Sequence, residues 1–268
     1  MKGLLPVLAL VWSAQFAAAQ TAETHEQRGK RVVYEALKAL GGDAYLHMND
    51  RVETGRAYSF YREQISGLDR ATIYTRYLPP VPGKLEVRER ENFGPKEDSG
   101  GFLFLENAGW EITFRGARPL DADKYASYRL STLRNILYIL RQRLDEPGLA
   151  FYSQGTDMFE NRPVEIVDIT DADTNTVTVY FDARNKWPVR QSFRHRNEQF
   201  HDFDTEVTIF ALYRDVGGGV MWPCNVRRER NGDRIYEMFA DEVKINQNLS
   251  DDLFKLPQDV VKKTGKKK

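Results

Sequence analysis

TIFALYRDVGGGVMWPCNVRRER, residues 208–230, is two runs of strand-forming residues on either side of three consecutive glycines. Ile209, Phe210 and Tyr213 before the glycines, and Val220, Trp222 and Val226 after them, favour extended backbone. Gly217-Gly218-Gly219 supplies the conformational freedom of a tight reversal. A link this short cannot carry the chain to a parallel neighbour, so the two runs pair antiparallel as a hairpin. Outward from here the same grammar recurs, with Asp173-Thr174-Asn175, Ala183-Arg184-Asn185-Lys186 and Asn231-Gly232-Asp233 as further links. Strands are predicted at 52–64, 71–78, 84–91, 101–105, 110–115, 149–154, 158–169, 176–182, 189–196, 205–215, 220–230 and 235–246.

Two segments break the strand pattern. Over 26–40, Val32, Val33, Ala36, Leu37 and Leu40 recur at three- and four-residue spacing and Gly41-Gly42 follows as a stop, which predicts an amphipathic helix. A second helix is predicted over 121–144 from Leu130, Leu133, Ile136, Leu137, Leu140 and Leu144, ended by Pro147-Gly148. Consecutive strands with two helices and no βαβ alternation predict an α+β fold, a single antiparallel sheet curled around helical elements. No repeat or linker divides the chain.

The 268 residues carry 39 basic and 39 acidic side chains, with 41% hydrophobic and 12% aromatic residues. That composition excludes a disordered or fibrous chain. Cys224 is the only cysteine, which excludes an internal disulfide framework and a multi-cysteine metal site. The N-terminus reads as an export signal over 1–19: Lys2, an apolar run at 4–12, then Ala17-Ala18-Ala19 before Gln20. This predicts a soluble exported product, periplasmic if the cell has two membranes. A single domain is expected over 20–261, followed by a disordered basic tail at 262–268. Setting aside Lys2 and the five lysines of that tail leaves 33 basic residues against 39 acidic ones, a net −6. An acidic body gives no reason to expect nucleic acid. The tail reads most simply as a solvated end; contact with anionic membrane or an acidic partner is the alternative.

The chain carries no phosphate loop, nucleophile elbow, His-Glu-x-x-His or dinucleotide fingerprint, which speaks against an enzyme. His195, His201, Asp202 and Asp204 are metal-ligand types, but Arg194 and Arg196 oppose a cation there. A polar hairpin is the simpler reading, and no cofactor or metal is expected. Cys224 lies within a strand, where a buried apolar role outweighs that of a nucleophile. The acid pairs Glu106 with Glu111 and Asp251 with Asp252 read as surface charge.

Three segments of the C-terminal third, VTVYFDARNKWPVRQSF (177–193), the opening stretch, and VKINQNLSDDLFKLP (243–257), together resemble the end of the outer-membrane lipoprotein-sorting family, the LolA/LolB-like proteins. Earlier matches are looser: the helix ending at Gly41-Gly42, Gly55-Arg56, the strand reaching Leu78-Pro79, and Gly109-Trp110. The resemblance implies an incomplete antiparallel β-barrel of about 11–12 strands closed by helices, with an apolar cavity for acyl chains. In the dedicated carriers a basic residue directly precedes the strand-end proline. Leu78 stands there in this chain, with Arg76 two residues earlier.

Residues 102–105 and 209–213 are apolar on both faces, so each face needs cover. Helices plugging the concave side satisfy this, and so does a cavity for a lipid-like ligand. On the second reading the cavity residues are expected among Tyr58, Phe60, Arg76, Tyr77, Phe102, Phe104, Trp110, Ile112, Phe114, Tyr180, Phe210 and Leu212. The expected partners are lipoprotein acyl chains or lipid, with an inner-membrane donor and an outer-membrane acceptor, and the protein acting as a monomer. An envelope sensor or protein-interaction module on the same fold is the alternative.

Overall fold

The computed structural model describes residues 23–95, 100–197 and 200–256. The predicted export signal and basic tail lie outside them. Among the described residues thirteen strands form one sheet: β1 (Asp50–Tyr61), β2 (Gln64–Tyr77), β3 (Val87–Phe93), β4 (Gly100–Phe104), β5 (Gly109–Thr113), β6 (Gly116–Pro119), β7 (Ala150–Phe159), β8 (Arg162–Thr170), β9 (Thr176–Asp182), β10 (Pro188–Asn197), β11 (Asp202–Asp215), β12 (Met221–Arg230) and β13 (Asp233–Ile245). Their order is β6-β5-β4-β3-β2-β1-β13-β12-β11-β10-β9-β8-β7. Every neighbour follows its predecessor in the chain except the pair β1 and β13, which close antiparallel on one another. The chain thus starts in mid-sheet, lays down β1 to β6 toward one edge, crosses to β7 at the other, and returns. β6 and β7 are not paired, so the barrel is incomplete.

Three differences from the predicted elements have local causes. The strand expected at 52–64 ends at Tyr61, because Arg62 and Glu63 turn the chain with φ of 47° and 61°. Two consecutive left-handed residues make the reversal whose twist suits a hairpin, and Asn or Gly normally marks it. β2 therefore starts seven residues before the predicted 71. Glu160 and Asn161 (φ 46° and 61°) make the same turn between β7 and β8, where the expected strand at 158–169 ran through it. The thirteenth strand is the four-residue β6.

The helices divide similarly. α1 (His25–Ala39) starts in a capping box in which the Thr24 side chain accepts from the Gln27 amide and Gln27 reciprocates. α2 (Asp43–Leu46) follows at once. The helix expected at 121–144 is broken: α3 (Ala122–Leu133) stops at Arg134, and Asn135 caps α4 (Ile136–Tyr138), which runs on as a π-helical turn over Ile139–Arg143. Capping by Asn135, whose side chain accepts from the Leu137 amide at 2.9 Å, lets the two pieces take different directions. No residue of α3 is fully buried, whereas Ile136 to Leu140 are buried throughout.

The main core lies between α1, α4 and the concave side of β7 to β13, with Val32, Leu40, Tyr45, Ile136, Leu140, Phe181, Phe210 and Trp222 among its members. α1 reaches the edge strand because of Gly29, whose missing Cβ would lie 2.9 Å from the backbone of Phe151, Tyr152 and Ser153. On the opposite, convex face of β3 to β6, a C-terminal strap covers Leu103, Ile112 and Ala117 with the 3₁₀ turn Asp251–Phe254.

Candidate functional site

Register assigns the concave face residue by residue. Directly paired residues share a face, so Phe104, Glu89, Thr75 and Arg51 form one row across β4, β3, β2 and β1. Phe102, Glu91, Ile73, Glu53 and Val243 form the next, and Val243 belongs to the main core, which fixes the row as concave. Further along, Ala57, Met238, Val226 and Phe210 make a third row. α4 fills the end of the concavity near α1 and α2. Beyond it the wall stays open, and Phe93, Phe102, Ile73, Val226 and Tyr236 retain accessible surface although they face inward.

This wall is aromatic with a polar band. Phe102 stacks on Phe104 at 6.0 Å, Phe104 on Tyr128 of α3 at 3.7 Å, and Phe93 meets Phe102 edge-on at 6.2 Å. In the band, buried Arg51 donates to Glu53 (2.6 Å), to the Tyr77 hydroxyl (2.6 Å) and to Thr75 (3.0 Å), and its guanidinium lies 4.0 Å from the Trp222 ring. Thr75 in turn donates to Glu89 at 3.1 Å. Burial raises the pKa of Glu89, while Arg51 and Arg228 work against that rise. Burial and the adjacent Glu89 charge push Glu91 up to about 8, and its protonated carboxyl donates to Glu89. With Glu91 protonated at neutral pH, less charge faces the aromatic wall.

Of the twelve expected cavity residues, Tyr77, Phe102, Phe104 and Phe210 face the concave side. Trp110 and Ile112 face the convex side under the C-terminal strap. Arg76 lies there too, bonded to Asp251 with its guanidinium 5.0 Å from the Phe254 ring. Tyr58 is convex, edge-on to Phe239 at 6.0 Å, as is Phe60 under Arg234. Tyr180 packs outside against Phe159 and Arg190. Phe114 is 79% exposed in the turn after β5, and Leu212, at φ 54° within β11, is 56% exposed. Arg51, Glu53, Glu89, Glu91 and Tyr128 were not foreseen. Their signal was the alternation Arg88-Glu89-Arg90-Glu91, which places two acids on one face, but charge in a strand ordinarily marks the solvent side.

The remaining chemical candidates are otherwise engaged. Asp204 accepts from Asn231 (2.8 Å) and Asn197 (2.7 Å), bonds that hold its pKa low, and His195 lies 3.5 Å from Glu206. No group of three or more potential metal ligands occurs among the described residues. Cys224 is buried in the main core, which raises its pKa. A cleft of about 700 Å³ lies along α3 where the sheet is not closed, lined by Trp110, Tyr125, Leu130 and Leu133 with Arg129 and Arg134.

No protein-family model and no curated protein matches the chain. Solved structures do. A DUF1329 family protein from Desulfovibrio piger superposes with a TM-score of 0.60 at 12% identity, over 87% of this chain and 98% of that one. A domain from Vibrio parahaemolyticus named for outer membrane lipoprotein sorting gives 0.58 at 10% identity, over 85% and 97%. A LolA superfamily protein from Nitrosomonas europaea gives 0.53 at 11% identity, over 85% and 97%. At these identities the likeness concerns the fold, and the fold is LolA-like: a curved, unclosed antiparallel sheet with few helices.

Proposed function

We propose that this chain is an exported lipid- or lipoprotein-binding protein, periplasmic in a two-membrane cell, that shields acyl chains against the open part of its concave wall and hands them from an inner-membrane donor to an outer-membrane acceptor. The observation that carries this is the inward-facing yet accessible wall of Phe93, Phe102, Ile73, Val226 and Tyr236. Apolar side chains that face inward and still keep accessible surface are what a ligand's hydrocarbon would cover. At about 0.8 kcal/mol per methylene, a chain of ~16 carbons costs on the order of 12 kcal/mol to leave in water, so any carrier must offer such a wall. The cleft along α3, of about 700 Å³, is a second hollow within the 300–1,000 Å³ range of small-molecule sites. A cleavable export signal over 1–19 and a single domain over 20–261 complete the reading.

The experiment is native mass spectrometry of mature protein purified from its own envelope, with solvent extraction of what travels with it. A co-purifying lipid or acylated protein is expected, and delipidated protein should regain several degrees of Tm on adding fatty acid or acylated peptide. Protein that is empty as isolated and gains no stability from any of these overturns the carrier reading and leaves a protein-interaction module.

A further inference from the structure

We propose that the rim of the sheet formed by the β1–β2, β5–β6 and β10–β11 turns is a docking surface for a phospholipid bilayer. Antiparallel order places these three turns at one edge of the sheet, opposite the end filled by α1, α2 and α4. Two of them project. β2 gains its β3 partner only from Ala71 onward, and past the Gly94 amide, which donates to the Arg70 carbonyl, residues 64–69 have no strand partner on that side among the described residues. β10 loses β9 after Ser192, and β12 reaches β11 no further than Glu206, with Asn231 bonding Thr205 and Asp204 just beyond it, so past those residues the described part of the β10–β11 ribbon has no strand on either side.

Among the described residues these turns expose large apolar side chains: Tyr61 is 66% exposed, Phe114 79% and Phe203 53%, with Ile65, Leu68 and Phe200 exposed as well. Each of the three rings carries a guanidinium at cation–π distance: Arg62 at 5.3 Å from Tyr61, Arg115 at 5.1 Å from Phe114 and Arg194 at 5.0 Å from Phe203. An aromatic ring with an arginine above it is the combination that suits the headgroup layer, the ring at the apolar boundary and the guanidinium on phosphate. Three such pairs on three separate turns of one edge match an extended surface, because a compact protein ligand would meet one patch. The two projecting ribbons are tied through the β12–β13 turn, where Asn231 bonds Asp204 and Thr205 and the Arg234 amide donates to Glu63, so they present their tips together. The acids Glu63, Asp69, Asp202 and Asp204 balance the arginines, so the contact depends on apolar insertion and individual phosphates more than on net membrane charge.

The test is co-sedimentation of the full mature chain with vesicles of phosphatidylethanolamine and phosphatidylglycerol, and with phosphatidylcholine vesicles. Binding to both is expected. The triple variant Tyr61→Ser, Phe114→Ser, Phe203→Ser should lose about tenfold or more in partitioning, and Ile65→Trp should shift its fluorescence to the blue on binding. Thermal unfolding and stabilisation by acylated peptide, unchanged in the triple variant, would show that fold and cavity are intact, which separates this surface from the carrier reading. Wild-type protein that stays in the supernatant with both lipids, or a triple variant that sediments like wild type, overturns the proposal.

Discussion

Glu91 shows how a single side chain records its surroundings. Its carboxyl titrates near 8 in the folded protein and at about 4.5 when unfolded, so between those values the folded state holds a proton that the unfolded chain has released. Stability is therefore unaffected below about pH 4.5, falls as pH rises toward 8, and carries the full cost above it. Glu91→Gln keeps the donor to Glu89 without the ionisation. It should stabilise the protein by roughly 2–4 kcal/mol at pH 9 and by almost nothing at pH 4; urea unfolding at both values checks this, and an equal effect at both would place the carboxyl in solvent. Arg51 is the converse case, a buried cation with every strong bond directed at concave partners. Arg51→Met leaves Glu53 buried without its partner and should cost about 3–5 kcal/mol, with much of it recovered by adding Glu53→Gln. The sequence identified neither residue as interior, because a charged residue in an alternating strand looks the same whether it faces a polar cavity or water.

Elements were more legible than their ends. α1 was readable because its apolar spacing, its cap and its Gly41-Gly42 stop all agree. The β1–β2 turn was not, because Arg62 and Glu63 adopt left-handed conformations that glycine or asparagine would ordinarily announce. The break at Arg134 was hidden for a related reason: Leu130, Leu133, Ile136 and Leu137 keep helical spacing across it, although only the last two are fully buried. Two contacts between elements can be tested. Gly29→Val forces a side chain into the β7 backbone and should cost about 1–3 kcal/mol by prising α1 from the sheet edge. Phe254→Ala removes the buried anchor of the C-terminal strap and should cost about 3 kcal/mol, with the tryptophan fluorescence of Trp110 changing as the strap loosens. Denaturant titrations report both costs.

Across the whole molecule, stability is divided unequally. The half of the barrel that holds α1 and α4 is packed, whereas the seam between β6 and β7 is spanned by α3, which has no fully buried residue. Hydrogen exchange should therefore find the amides of α3 far less protected than those of α1 and β8 to β12, and equal protection would show that α3 is held as firmly as the core. By itself the sequence determined the chain of antiparallel hairpins, the first helix and the LolA-like resemblance, since these depend on local turn chemistry, periodicity and residue order. Tertiary structure alone decided which face of each strand is concave. Alternation defines two faces for every strand but does not say which one curls inward, and the C-terminal strap gives the convex face an apolar cover of its own. Trp110, Ile112 and Arg76 thus lie outside while Glu89 and Glu91 lie within, an outcome set by sheet curvature and by contacts between residues far apart in the chain.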